Sequence, residues 1–281
     1  MGRARSVSVV GLLTLLFLLQ HGALVWPDDF VEFSKWGRID WGNGVVEADG
    51  VGSPPPHPEN KAQARAMARA RAVERARNNL LLTVRGIRIS GKTTVGDILE
   101  KANKPEKVNI HTYVRTAEVV DILFRPDGHV EATVAMWLSP EFLDAVLPME
   151  IKVIRQVRQP THNHKTLQDG FSGIVVDCKG IRVLPCLIPR IVDEKGSVVY
   201  GPAYISREHA IKRRVAAYVK GTKAALDLDR IGGNPLVLKA IRTKDHDPTV
   251  VVISNSDARK ILDNPLNLKL LHNCRVAFVL D

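Results

Sequence analysis

The stretch ENKAQARAMARARAVERARNNLLLTVR, residues 59–85, decides how the first half of this chain folds. Alanine and arginine are strong helix formers, so the stretch reads as one helix roughly 40 Å long at about 1.5 Å per residue. Ala62, Ala66, Ala70, Val73, Ala76, Leu80 and Val84 recur at three-four spacing, flanked by Ala64, Ala68 and Ala72. That broad stripe of small residues suits close packing on a sheet. Arg65, Arg69, Arg71 and Arg75, with Arg77, fall mostly on the other side. The first four are the candidate binding residues, as an anion-binding ridge. A solvated helix face gives the same pattern, and without interleaved aromatics it is the plainer reading.

Outward from this helix, Trp26 to Gly44 mixes aromatic and acidic residues, and Val45 to Gly52 is a short strand candidate. Gly50, Gly52 and then Pro54, Pro55, Pro56 and Pro58 close it, since proline at that density ends regular structure. A second short helix is expected near Val95 to Ala102. Glu118 to Phe124 and His129 to Leu138 flank Arg125-Pro126-Asp127-Gly128, a Pro-Asp-Gly turn between two β-prone runs, and this predicts a hairpin. Residues 24–154 therefore form a first domain with the long helix on an antiparallel sheet.

Between Arg155 and Gly170 a polar stretch with Pro160, His162, Asn163 and His164 reads as an interdomain linker. His162 and His164 lack further ligands nearby at metal-binding spacing, so no metal site is read there. The second domain, residues 171–281, is more strongly patterned. Ser172 to Val176, Arg182 to Val192 and Ser197 to Tyr200 read as strands, with Glu194-Lys195-Gly196 as a turn. Ser206 can cap a helix from Arg207 to about Asp229, with Gly221 as a break point. Leu236 to Ile241 and Val250 to Ile253 are further strands, Ser254 or Ser256 caps a helix over Asp257 to Leu262, and Arg275 to Leu280 is the last strand. Strand, crossover and strand at this spacing permit parallel pairing, so a mixed-sheet α/β sandwich is expected. The fold class is α+β in two domains.

Arg3 and Arg5 followed by the apolar run Val9 to Leu19 read as a secretory signal over residues 1–23. The run is shorter than the roughly 20 residues a spanning helix needs. Around Gln20, His21, Gly22 and Ala23 the cleavage preferences are poorly matched, so processing and an uncleaved anchor over Val9 to Trp26 both remain open. Either way the expected location is outside the cytoplasm, in the periplasm or at the outer membrane. The formal net charge is +10, and the chain stays basic without its leader. Basic surfaces find anions. In an envelope these are anionic lipids, polymers and acidic proteins rather than nucleic acid. Cys178, Cys186 and Cys274 allow at most one intramolecular bridge; a Cys178 to Cys186 disulfide and buried free thiols both fit.

Gly86-Ile87-Arg88-Ile89-Ser90-Gly91-Lys92-Thr93 satisfies the phosphate-loop expression letter for letter. Its context differs, because a phosphate loop follows a buried strand whereas this one follows the long helix, and Ile-Arg-Ile alternates like a strand. Nucleophile-elbow and zinc-protease signatures do not occur in the sequence. No enzyme activity and no cofactor are expected.

Trp41 through Gly44, Val46, Ala48 and Gly50, together with the alanine-rich helix Ala62 to Leu82, resemble the N-terminal module shared by membrane-associated bacterial lipoproteins and flagellar assembly protein T. The second half, notably Gly173 to Asp177, Pro189 to Asp193, Tyr200-Gly201, Asn234 to Val237 and Ile253 to Ala258, is similar to exported proteins of unassigned function that carry the same leading module. The resemblance implies an envelope protein that assembles or stabilises surface structures without catalysis, with envelope or flagellar structural proteins as partners. The lipoproteins carry a lipid-accepting cysteine just after the signal. Here no cysteine precedes Cys178, which favours a form without a lipid anchor. The alternatives are a periplasmic small-ligand or anion-binding protein and, more distantly, a phosphate-loop NTPase.

Overall fold

The computed structural model describes residues 30–101, 110–148, 151 and 170–281. The expected leader and residues 155–169 of the expected linker lie outside these. The first domain runs β1 (Val31–Phe33), β2 (Arg38–Asp40), β3 (Val45–Gly52), α1 (Lys61–Arg85), β4 (Arg88–Ser90), β5 (Thr93–Thr94), α2 (Val95–Lys101), α3 (Ile110–Arg115), β6 (Glu118–Phe124), β7 (Val130–Trp137) and α4 (Pro140–Val146). The second runs β8 (Ile174–Asp177), β9 (Arg190–Val192), β10 (Val198–Tyr200), α5 (Arg207–Arg213), β11 (Ala217–Lys220), α6 (Thr222–Leu226), β12 (Leu236–Lys239), β13 (Arg242–Lys244), β14 (Asp247–Val252), α7 (Asn255–Leu262), α8 (Pro265–His272) and β15 (Val276–Leu280). Among the described residues no helix is long and apolar enough to cross a membrane.

The first domain is the long helix on an antiparallel sheet of order β1-β2-β3-β7-β6. Helix α1 starts where the Asn60 side chain accepts a hydrogen bond from the Gln63 amide at 2.8 Å, and it is closed by Gly86. Its buried face is Ala68, Ala72, Ala76, Leu80, Thr83 and Val84, stepping mainly by four. Ala62, Ala66 and Ala70, expected inside, are exposed. The difference comes from the sheet: β3 presents Gly50 and Gly52, which leave room for helix backbone only opposite Ala68, Ala72 and Ala76. The Pro-Asp-Gly hairpin between β6 and β7 forms as the sequence predicts, with Gly128 at φ +88.

The β3 edge beyond β2 would leave carbonyls unpaired, and α1 covers them with side chains. Asn79 donates to the Asp49 carbonyl at 2.7 Å, Arg75 to that of Val51 at 3.1 Å, and Arg71 to that of Ser53 at 3.0 Å. Four residues of helix rise about 6 Å and two residues of strand about 6.6 Å, so donors four apart meet acceptors two apart. An otherwise open strand edge is thereby blocked. Replacing Asn79 by alanine is expected to lower stability by about 1 kcal/mol, the net worth of one such bond, read as a shift in the urea midpoint at unchanged slope.

The second domain has two sheets. In one, β11-β15-β8-β12, every neighbouring pair is parallel. The other, β10-β9-β14-β13, is mixed. Two expectations need correction, and one helix lies beyond them. The helix expected over Arg207 to Asp229 is α5, then strand β11, then α6. Arg214 ends α5 at φ +63, and the run Val215 to Val219, all buried, enters the core as a β-branched and aromatic strand. The strand expected over Arg182 to Val192 is only β9, because Pro185 and Pro189 interrupt it. Its amides at Leu187 and Ile188 bond instead to the Arg88 and Ile89 carbonyls, both at 2.9 Å. Finally α8, which opens with Pro265 behind an Asn264 cap, has no counterpart in the sequence reading.

The two domains share one hydrophobic core. Trp41, Leu80 and Val134 from the first belong to the same buried cluster as Tyr200, Tyr218 and Phe278 from the second. The phosphate-loop look-alike lies on this seam. Four of its positions, Ile87 to Ser90, are helix exit and strand β4, and Gly91 approaches Asp247 so closely that a Cβ there would lie 2.0 Å from a carboxylate oxygen. Ser90 pairs with Thr93 across a two-residue turn, and α2 begins at Val95, where Thr94 and Asp97 cap it reciprocally. The residues that would wrap a phosphate are thus spent on a hairpin that clasps the second domain.

Candidate functional site

The basic side chains converge in the second domain, where three separated segments meet. Helix α5 ends in Lys212 and Arg213, and Arg214 follows at the left-handed turn. Leu228, Asp229 and Arg230 come after α6, and Arg275 stands immediately before β15. Together they line a cleft of about 530 Å³ whose far wall, Leu138, Pro140 and Leu143, belongs to the first domain.

Backbone carbonyls hold these guanidinium groups. Arg214 donates to the Trp41 and Gly42 carbonyls, both at 2.7 Å, and so braces the domain seam. Arg230 donates to the Arg213 and Cys274 carbonyls, and Arg275 donates through Nε to that of Ser172. Gly232, at φ +74, leaves space for the Arg275 Nη2, which would lie 3.1 Å from a Cβ there. Burial, and after it the charge of Arg214, pull the Arg230 pKa down to about 10, which still leaves a cation at neutral pH. Lys212 engages Glu208 at 2.8 Å. Among the described residues no carboxylate pairs with Arg213, Arg230 or Arg275, and the one acid lining the cleft is Asp229.

The four arginines singled out on α1 are not gathered in one place. Arg71 and Arg75 lie at the β3 edge, occupied with its carbonyls. Arg65 is on the opposite flank, with its guanidinium 4.9 Å from the centre of the Phe124 ring on β6. Arg69 lines a separate groove with Arg77, His111 and Arg115. The ridge divides into a structural pair, a ring contact and a groove wall. The sequence does not announce this cleft, because Lys212-Arg213-Arg214 reads as one more turn of a continuous helix and Arg230 and Arg275 join it only through the sheet topology.

All three cysteines are buried free thiols. Burial pushes Cys178, Cys186 and Cys274 up to about 12. An unfolded thiol releases its proton near 9, so this contribution to stability is intact below that pH and falls as pH rises from there towards 12. A disulfide-exchange reagent at mildly alkaline pH is expected to label none of the three in the native protein and all of them in denaturant. Among the described residues no group of three His, Cys, Asp or Glu is placed to hold a metal ion.

No curated protein matches this chain. Residues 173–281, the second domain and less than half of the chain, match the family model of the second domain of Treponema pallidum Tp0624, which places the cleft arginines within a segment similar to a bacterial protein's domain.

Proposed function

We propose that this chain is an exported, non-catalytic protein of the bacterial envelope that works by binding, as an assembly or interaction factor for envelope or flagellar structural proteins. The observation that carries this reading is the face of the first sheet turned away from α1. Trp137, paired with Val45, is 59% exposed there, and Phe33, in the row of Arg38 and Glu47, is 77% exposed. Around them lie polar pairs, Arg38 with Glu47 at 2.6 Å and Thr133 with Asp49 at 2.7 Å. Exposed aromatics in a polar surround are the composition of a protein-binding surface. The leader and the likeness of residues 41–82 to the lipoprotein and flagellar module support the address and the role.

Fractionation of the native cell followed by crosslinking tests it. The expected result is recovery with the envelope, crosslinks to structural proteins, and a motility or envelope-integrity defect on deletion. Full-length protein in the cytosol with its leader intact would overturn the reading. A second reading, anion binding, is favoured by the basic cleft.

A further inference from the structure

We infer that the cleft formed by Arg213, Arg230 and Arg275 beneath Arg214 is a binding site for a phosphate group, carried either by a small soluble molecule or by a lipid headgroup. This goes beyond the assembly reading and does not depend on it. The argument begins with donors. A guanidinium has five N–H groups. Arg275 uses its Nε on the Ser172 carbonyl, and Arg230 uses one N–H of each terminal nitrogen on the Arg213 and Cys274 carbonyls. Arg213 is exposed and spends none on the described residues. Several donors from three forks are therefore left for one occupant.

Those carbonyls also fix the Arg230 and Arg275 forks in place before a ligand arrives, which lowers the ordering cost of binding. The four arginines singled out on α1 are divided instead between the β3 edge, the Phe124 ring and a separate groove. Charge makes the same point. Four arginines face a single lining carboxylate, Asp229, in a cleft walled by Leu138, Leu143, Ile211 and Leu228, and the fifth cation, Lys212, is engaged by Glu208. Like charges held together against an apolar wall repel strongly, and an anion with more than one charge removes that repulsion. A carboxylate brings two oxygens and one charge. A phosphate monoester brings three oxygens and up to two charges, and matches planar forks bidentately. The cleft volume lies in the range of small-molecule sites, about 300 to 1,000 Å³.

The test uses the full chain in low salt, titrated calorimetrically with inorganic phosphate, pyrophosphate and acetate, and by co-sedimentation with phosphatidylcholine vesicles with and without phosphatidic acid, whose headgroup is a phosphate monoester. Lys212→Gln with Arg213→Gln changes exposed side chains and preserves the braces. It is expected to weaken binding at least about tenfold, the loss of one charge-assisted contact or more. Arg65→Gln with Arg69→Gln removes the same charge elsewhere and is expected to change nothing. Binding of phosphate or pyrophosphate assigns a soluble ligand, and binding of phosphatidic acid vesicles alone assigns a headgroup. Three results would overturn the inference: no binding to any probe at millimolar concentration, acetate binding as tightly as phosphate, or equal loss in the α1 variant.

Discussion

Gly52→Val is expected to destabilise the protein by about 3 kcal/mol or more, at the upper end of overpacking effects. A Cβ at this position would lie 1.9 Å from the Ala68 carbonyl oxygen and 2.5 Å from the Ala72 nitrogen. Both are helix backbone, so no side chain can turn aside to make room. The helix would have to lift from β3, which would also pull Arg71, Arg75 and Asn79 away from the carbonyls of Ser53, Val51 and Asp49. Neighbouring Gly50 meets Ala76 and Ala72 in the same way, so its substitution should act alike. The readout is the urea midpoint followed by far-UV circular dichroism. Gly233→Ala is the control, since a Cβ there meets nothing within 4 Å, and it should stay within about 0.5 kcal/mol of the parent. An equal effect at both positions would show that α1 does not rest on the strand backbone.

Much of this contact is legible in the sequence. Alanines repeating by three and four announce a face made for close approach, and glycines at Gly50 and Gly52 supply its partner. The hairpin at Arg125 to Gly128 is equally local, because proline, aspartate and glycine each meet a backbone demand of that turn. Where the reading departs from the fold, the deciding contact is distant. Arg207 to Asp229 carries helical spacing throughout, yet Tyr218 is drawn into a strand by its hydroxyl, which donates to the Cys186 carbonyl at 2.8 Å and accepts from the Cys186 amide at 3.1 Å. Leu187 and Ile188 look like strand residues and serve as a seam. The cleft is the extreme case, since its arginines span positions 213 to 275 and no spacing rule joins them. Local chemistry is written along the chain; convergence is written in the topology.

The other large effect is expected at Trp41, where the two domains meet. Its ring is 2% exposed, packs edge-on to Tyr218 at 5.7 Å, and donates through Nε1 to Glu32 at 2.9 Å. Tyr218 in turn stacks on Phe278, 5.6 Å away in β15. The same Glu32 carboxylate accepts from Arg88, and the Trp41 carbonyl accepts from Arg214. A small, partly open void of about 10 Å³ already borders Trp41, Cys186 and Tyr218, so truncation would enlarge an existing cavity. Trp41→Ala is therefore expected to remove about 4 kcal/mol, the usual penalty for deleting a buried aromatic. Because stabilities of whole domains are about 5–15 kcal/mol, that loss is a large share of what holds the fold. It should also uncouple the halves: circular dichroism and tyrosine fluorescence are expected to coincide in the parent's urea transition and to separate in the variant. Trp36→Ala, at a side chain 40% exposed in the β1–β2 hairpin, should shift stability by no more than about 0.5 kcal/mol. If Trp41→Ala proved equally mild, with one coincident transition, the second domain would not be resting on the first through this ring, and the far wall of the basic cleft would lose its anchor as well.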